Sequence, residues 1–325
     1  RTRRRTRKVH DSPKGASKDK PRRFDRTQSL EQKAEQKAEQ KAVRESAERE
    51  IEDSGATLTR KEKRQVTDHS RLSALTVFSI IRREGEEELR RPSSSLWWSG
   101  IAAGIGISSS VYAQALLYET FADHPYRDLI ASLGYTVGFV LVILSRLQLF
   151  TENTLSVVLP MLSEPSWMRL GRSGRLWAIV LTANFIGTFL TALAVLTVTQ
   201  GVEGQYSSHV AAMLEVSEHA AEASGFTALV KGIPAGFFIA ALVWMLPSSK
   251  GFELWVIMLF TGLIAAGGFT HVVAGSTEMF MLVVDGRMGV AEALYNHLLP
   301  TFAGNVIGGT GLFAMLAYGQ IHAEI

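Results

Sequence analysis

The balance of polar and apolar residues changes twice along the chain. Residues 1–70 are polar and contain three consecutive Glu-Gln-Lys-Ala repeats at 31–42. Like charges four residues apart repel on a helix, so we expect a charged, largely disordered or partly helical tail. Over residues 71–92, apolar positions recur at helical spacing among arginines and glutamates, which predicts an amphipathic juxtamembrane helix. Apolar stretches dominate residues 93–320 and predict a transmembrane domain.

Six apolar segments in this third part are predicted to cross the membrane. They cover about residues 96–117, 129–162, 176–198, 226–246, 252–284 and 300–318. Polar residues interrupt the second segment at 146–153, and a Gly-Gly-Phe-Thr-His run interrupts the fifth at 267–271. Broken membrane helices occur where the freed backbone lines a cavity or a substrate path. The predicted fold is therefore all-α, with six transmembrane helices and breaks in the second and fifth.

The two broken spans occupy the same place in two similar blocks. Leu-Phe-Thr at 149–151 is followed, 34 residues after its Phe, by Asn-Phe-Ile-Gly at 184–187. Gly-Phe-Thr at 268–270 is followed, 36 residues after its Phe, by Asn-Val-Ile-Gly at 305–308. Because each block has three spans, an odd number, the second enters the membrane from the opposite side. The pattern predicts an inverted 3+3 repeat.

Charge is distributed as unevenly as hydropathy. Of the 34 Lys and Arg residues, 26 lie at or before Arg91, and so do 17 of the 31 acidic residues. Three of the remaining arginines, at 169, 172 and 175, lie between the second and third spans, and Lys250 lies between the fourth and fifth. The loop 201–224 has no Lys or Arg. The positive-inside rule therefore predicts that both termini are cytoplasmic.

Several classes of function have no support in the sequence. The chain has no cysteine, no phosphate loop, no zinc-ligand spacing and no nucleophile constellation. We therefore expect neither an enzyme nor a bound cofactor or metal. The basic start lacks interleaved aromatic residues, which favours the anionic lipid bilayer over nucleic acid as its partner.

His271 is the first candidate functional residue, because it follows directly on the second interruption. Non-helical backbone inside a membrane is tolerated where it is buried or lines a cavity, and an imidazole exchanges protons near neutral pH. His271 either carries protons along a path or only binds the loose carbonyl groups of the break.

The first interruption supplies an aromatic side chain and hydroxyl groups at Phe150, Thr151 and Thr154. Half-helix N-termini that meet at such a break present partial positive charge and favour an anion. Alternatively, the Thr residues and Asn153 only cap the second half-helix. Both interpretations are open from the sequence.

Three charged residues near the breaks have competing interpretations. Arg146 and Glu152 flank the first break six residues apart, and we expect a structural ion pair between them, because unpaired charges at that depth are costly. Lys231 lies in the first turns of the fourth span. Its side chain either extends to the membrane interface or attracts anions into a vestibule.

Five short motifs together resemble the formate/nitrite transporter family, over about residues 95–320. They are Leu-Phe-Thr at 149–151, Asn-Phe-Ile-Gly at 184–187, Val-Trp-Met at 243–245, Gly-Phe-Thr-His at 268–271 and Gly-Asn-Val-Ile-Gly-Gly at 304–309. The resemblance implies an aquaporin-like protomer, a homopentamer with one pore per subunit, and passage of small monovalent weak-acid anions with or as protons. The chain looks like a divergent bacterial inner-membrane branch of that family.

The resemblance also implies roles for single residues. It places the pore constrictions at Tyr135, Phe139, Leu149, Phe150, Thr151, Ile239 and Ile264, with His271 as the central histidine and Asn184 and Asn305 as structural residues. The chain departs from the family pattern at three positions. Gly236 and Gly275 replace asparagines, so polar partners of His271 are expected to be missing, and Glu152 replaces a small neutral residue.

The resulting hypothesis is a pore that draws in an anion, strips its water between apolar constrictions, and neutralises it with a proton from or through His271. Two alternatives stay open. Gly236 and Gly275 would remove polar groups and widen the lumen for a neutral solute. A different class of function is a membrane scaffold that acts through the tail.

Overall fold

Helices are the regular structure throughout the part of the chain that the computed structural model describes, residues 71–198 and 206–324, where no β-strand occurs. The tail predicted over residues 1–70 lies outside this part. In chain order the helices are α1 Ala74–Arg90, α2 Ser93–Thr120, α3 Arg127–Leu144, α4 Asn153–Ser156, α5 Val158–Ser163, α6 Trp167–Val198, α7 Ser208–Ala221, α8 Gly225–Met245, α9 Glu253–Ala266 and α10 Val272–Val284. A final helical segment, α11, spans Val290–Glu324 and contains π-helical turns at Ala293–Leu298 and Ile307–Ala314.

Five helices in the described residues are long and apolar enough to cross a membrane: α2, α3, α6, α8 with its 3-10 extension, and α11. The predicted fifth span is divided into α9 and α10, of 14 and 13 residues. The second span likewise ends at Leu144, and the short helices α4 and α5 follow its break. The all-α membrane class and both breaks are confirmed. The count of six spans stays a prediction, because neither α9 nor α10 is long enough to cross alone.

Helix α1 is amphipathic and packs on the half-helices that follow the first break. Its cap, Ser73, accepts a hydrogen bond from the Thr76 N–H at 3.2 Å. Phe78 and Ile81 are fully buried on its apolar face. Gly85 lies so close to α4 that an added Cβ would stand 1.9 Å from the Ser156 carbonyl oxygen. Helix α1 is therefore in direct contact with the half-helix that follows the first break.

Helix α7 corrects the expectation of a loop over residues 201–224. Ser207 caps it by accepting a hydrogen bond from the Val210 N–H at 3.4 Å. Val210, Met213, Leu214 and Ser217 are buried, and α7 packs on α2 and α10. These residues have helical spacing, so the signal was present. It was missed because the helix is too short and too polar to cross a bilayer.

A buried asparagine in α6 binds the backbone of the first break. Asn184 accepts a hydrogen bond from the Phe150 N–H through Oδ1 at 3.0 Å. Its Nδ2 donates to the carbonyl oxygens of Gly100 and Gln148, both at 2.8 Å. One side chain therefore pairs two backbone groups of the break, at Gln148 and Phe150, and ties them to the Gly100 carbonyl inside α2.

An equivalent asparagine in α11 binds the second break. Asn305 accepts from the Val272 N–H through Oδ1 at 2.8 Å, and its Nδ2 donates to Gly232 O at 2.8 Å and to Thr270 O at 2.9 Å. Donor, acceptor and helix order correspond to those of the first half. The duplicated unit therefore extends to individual hydrogen bonds.

The hydrogen bonds of Asn184 and Asn305 change which residues of the two halves correspond to each other. The Phe-Thr motif suggests that Phe150 corresponds to Phe269, whereas the asparagine of the second half binds the Val272 N–H, three residues further along. In the folded protein Phe150 therefore corresponds to Val272, and Leu149 to His271. The two Phe-Thr pairs are not equivalent, because correspondence is set by the backbone groups that the asparagines bind.

Candidate functional site

A cavity of about 350 Å³ lies beside the second break. Its lining includes Tyr135, Lys231, Thr270, His271, Gly275 and Glu278. Its volume and mixed polar and aromatic lining are those of a small-molecule site. The cavity therefore brings together four of the candidate residues that the sequence singled out for a path, His271, Lys231, Tyr135 and Gly275.

His271 is buried at the inner end of this cavity, where it caps α10. Its Nδ1 accepts a hydrogen bond from the Ala274 N–H at 3.1 Å. A neutral imidazole whose Nδ1 accepts carries its proton on Nε2, and Nε2 lies 2.8 Å from Thr151 Oγ1. His271 therefore donates to Thr151 across the two breaks. The expected lack of a polar partner is wrong, because the partner comes from the other half of the repeat.

Aromatic residues of α3 pack against the histidine. The ring of Phe139 meets that of His271 edge-on, with centroids 5.0 Å apart, and lies 5.3 Å from the ring of Tyr135. Ile239 and Ile264 are fully buried in the same apolar core but do not line the cavity. Of these four residues Phe139 contacts the ring of His271, and only Tyr135 lines the cavity.

A second aromatic group closes the first break. Phe150 is fully buried, with its ring centroid 5.5 Å from that of Trp177 and 5.3 Å from that of Phe302. Leu149 is also buried, and Trp177 donates through Nε1 to Asn153 O at 3.1 Å. Trp177 and Phe302 were not predicted, since nothing in their own segments indicates which helix they contact.

Gly236 and Gly275, the two glycines at which the chain departs from the family pattern, have different surroundings. A Cβ on Gly236 would stand 2.1 Å from the Asn305 carbonyl oxygen, so this glycine permits close packing of α8 on α11. The expectation that Gly236 widens the lumen is therefore wrong. Gly275 lines the cavity, and a Cβ there would make an ordinary contact, 3.7 Å from Glu278 Oε2. Gly104 contacts Asn184 in the first half as Gly236 contacts Asn305.

Two charged side chains in the cavity lining have no ion pair within residues 71–198 and 206–324. Lys231 is half-buried on α8, and its Nζ lies 3.6 Å from where a Cβ on Gly268 would be, directly over the break. Glu278 is buried on α10. Glu278 was missed by the sequence reasoning, although a carboxylate seven residues after His271 in an apolar half-helix was a visible signal.

The predicted ion pair between Arg146 and Glu152 does not form. Arg146 lies 3.8 Å from Glu84 of α1, its side chain is 87% exposed, and its φ is 54°. Burial raises the pKa of the Glu84 carboxyl, and the charge of Arg146 partly offsets that effect. Glu152 Oε1 is buried and has no hydrogen-bond partner among the described residues. The turn at Arg146 directs its side chain outward, away from the break.

Replacing Arg146 with glutamine is accordingly expected to have a small effect. The long, exposed pair with Glu84 contributes about 0–1 kcal/mol, as surface ion pairs do. Thermal unfolding of the detergent-solubilised protein should shift by no more than about 3 °C. A much larger loss would show that Arg146 supports the break after all.

Comparisons with known proteins agree with this geometry. The family model described as formate/nitrite transporter matches residues 75–319. The chain is 36% identical to the inner membrane protein YfdC of Escherichia coli (strain K12) over 252 residues, which cover 78% of this chain and 80% of that protein. It is 24% identical to the formate channel FocA of Haemophilus influenzae, over 68% of this chain and 84% of the relative.

Solved structures share the fold. A pentameric formate channel with formate bound matches with a TM-score of 0.58 and 21% identity, over 71% of this chain and 98% of that one. A channel described as an FNT family ion channel matches with a TM-score of 0.62 and 18% identity, over 76% and 98%. With the family model covering nearly all of the membrane domain, the chain belongs to the formate/nitrite transporter family.

Proposed function

We propose that this protein is a proton-linked transporter of small monovalent weak-acid anions, with formate as the reference substrate. The family consists of membrane transporters and channels, so the protein is not an enzyme. The observation that carries the proposal is the 2.8 Å hydrogen bond between His271 and Thr151. This bond joins the two breaks beside the cavity. Lys231, which lines the cavity, has no ion pair within the described residues.

Electrostatic attraction brings an anion to this point, and the free-energy cost of removing its water opposes further entry. The ammonium of Lys231 attracts an anion into the cavity, where the ring of Tyr135 then displaces part of its water. A bare anion is costly in such apolar surroundings, whereas the neutral acid is not. A proton delivered at His271 therefore lowers the barrier, provided that Thr151 releases Nε2. Release of that bond also separates the two breaks, so opening and proton exchange are coupled.

The oligomeric state, membrane location and orientation of the transporter are also part of the proposal. The pentameric state of a structural relative and the inner-membrane location of another relative support a homopentamer in the bacterial inner (plasma) membrane. The loop arginines and Lys250 favour cytoplasmic termini by the positive-inside rule. The division into a tail over 1–70, a juxtamembrane helix over 71–92 and a membrane domain over 93–320 is kept as a working description. The neutral-solute alternative loses one of its supports with Gly236.

Formate flux into proteoliposomes, measured at two pH values, tests the proposal with two variants of opposite expected effect. Thr151→Val leaves a buried imidazole N–H without its acceptor in the closed state, which costs about 1–3 kcal/mol. We expect about tenfold faster flux.

His271→Asn keeps an N-cap residue for α10 but cannot exchange a proton. We expect its flux to lose its dependence on pH.

A matched control is Thr191→Val, which removes a hydroxyl that bonds only to Gly187 O within α6, outside the cavity. It should transport at the unmodified rate. Unchanged pH-dependent formate flux in His271→Asn would reject the proton role of the histidine. A substrate panel that found no flux of any small monocarboxylate or nitrite in the unmodified protein would reject the transport function.

A further inference from the structure

The central histidine has no ring nitrogen free to face the cavity. Nδ1 accepts from the Ala274 N–H and Nε2 donates to Thr151 Oγ1. A neutral imidazole has one donor and one acceptor, so both are used. While Thr151 is in place, an anion that enters the cavity must obtain a proton from another group.

Glu278 is placed to be that group. His271, Gly275 and Glu278 follow each other at positions i, i+4 and i+7 along α10, which puts them on one face of the helix. Seven residues correspond to about 10 Å along the axis. Gly275 between them has no side chain, and Glu278 Oε2 lies 3.7 Å from where its Cβ would be. The carboxyl is therefore directed back along the helix toward His271, over open cavity.

Neighbouring hydrogen bonds hold the helix in this rotation. Thr277 bonds to Ser108 of α2 at 3.0 Å, and Ser276 bonds to Thr188 of α6 at 2.9 Å. Both hydroxyls are buried and turned away from the cavity. These contacts leave Glu278 as the polar side chain of this turn that lines the cavity, with an exposed fraction of only 6%.

No positively charged group is in contact with Glu278 in the described part of the chain. No ion pair or hydrogen bond is formed by its carboxyl within the described ranges, 71–198 and 206–324. Isolated ionised carboxylates are strongly disfavoured when buried, and an ionised one here would also repel an incoming anion. A protonated carboxyl avoids both costs and carries a proton at the point where an anion needs it.

We propose that Glu278 donates the proton to an anion in the cavity while the bond between His271 and Thr151 is closed, ahead of the proton exchange at His271. This inference deepens the proposed function and rests on it. The O–H bond of the Glu278 carboxyl breaks and its proton passes to an oxygen of the substrate anion, which becomes the neutral acid. Glu278 is left as a carboxylate and regains a proton from water at the cavity mouth. Anion entry thereby takes up one proton from that side for each molecule carried.

Other titratable groups line the same cavity and contribute to its pH response. Tyr118 of α2, Tyr135 of α3 and His271 are buried, and Lys231 of α8 is half-buried. Asp128, His219 and Glu222 are exposed. His297 is buried and donates through Nδ1 to Ala223 O at 3.2 Å. Asp128 and Glu222, the other carboxylates that line the cavity, are exposed, whereas Glu278 is buried and has no hydrogen-bond or ion-pair partner in the described part of the chain.

The test is formate uptake into proteoliposomes driven by an inward proton gradient. Glu278→Gln keeps the size and hydrogen-bonding capacity of the protonated side chain but has no exchangeable acid. We expect gradient-driven uptake to fall by about a hundredfold, within the range typical of a lost general acid. Glu278→Asp retains an acid and should restore most of it. Glu292→Gln, which removes an exposed carboxylate outside the cavity, should leave uptake unchanged.

The outcomes separate the two proposals. Glu278→Gln that elutes as the unmodified oligomer and keeps the same proton-driven uptake overturns the role of Glu278 while leaving the transport function intact. If the unmodified protein transports no small monocarboxylate, the proposed function fails instead. The infrared band of protonated carboxyl groups then tests the residue: a smaller band in Glu278→Gln, but not in Glu292→Gln, supports the exchange site, and an unchanged intensity in both variants rejects it.

Discussion

Replacing Asn305 with alanine is expected to cause a large loss of stability. The side chain makes three hydrogen bonds to backbone groups, including the Val272 N–H that starts α10. Alanine leaves the Val272 N–H and the Thr270 carbonyl at the break without this partner, at a cost of about 1–3 kcal/mol for each group that finds no water. A total near 3 kcal/mol corresponds to a fall of about 10 °C in the unfolding temperature.

The matched variant of the first break, Asn184→Ala, is expected to behave alike, because Asn184 makes the corresponding three bonds. Asn296→Ala is the control, since Asn296 is exposed on α11. Thermal unfolding in detergent, followed by size-exclusion chromatography, measures all three. An unfolding temperature for Asn305→Ala equal to that of Asn296→Ala would mean that water or other groups replace the asparagine, and that the breaks are held differently.

Replacing Gly236 with alanine is expected to prevent normal packing of α8 on α11. The new Cβ would stand 2.1 Å from Asn305 O and 2.7 Å from Asn305 Cα, and these are backbone atoms that cannot rotate away. The helices must separate, and overpacking of this kind costs about 1–3 kcal/mol or more. Because the displaced residue is Asn305, the second break should loosen as well. We expect reduced yield of folded protein and a fall in unfolding temperature of several degrees.

Gly275→Ala is the matched control, with the same chemical change and the opposite expected sign. Its Cβ would meet Glu278 Oε2 at an ordinary 3.7 Å, in the interior of α10. Alanine is favoured over glycine in a helix interior by about 1 kcal/mol. Stability should therefore stay equal or rise. If both glycine variants lose stability equally, the close approach at Gly236 is not the cause.

Much of the fold was readable from the sequence because the bilayer restricts what a chain can do. Every backbone group in hydrocarbon must be paired within the protein, so apolar segments of about 20 residues become helices. Interruptions such as the Gly-Gly-Phe-Thr-His run then stand out, and the helices do end at Ala266 and resume at Val272. Helix α7 was missed because that rule does not apply to a segment that does not cross.

The site was only partly readable, for a different reason. His271 and Thr151 were each recognisable as unusual residues in an apolar segment, but their hydrogen bond joins positions 120 residues apart. Trp177 and Phe302 contact Phe150 from two further helices. No local pattern encodes such contacts. Gly236 illustrates the converse, since its missing side chain suggested an open lumen and in fact permits a close helix contact.

The sequence by itself determined that this is a helical membrane protein with two related halves and a broken helix in each, because hydropathy, charge and repeats are properties of the chain alone. Tertiary structure alone decided that Asn184 and Asn305 set the register of the halves, that Arg146 turns away to Glu84, and that Glu278 faces the cavity. The physical reason is that these facts depend on which buried polar groups meet across helices, and a buried group takes whichever partner the packing brings within hydrogen-bond distance.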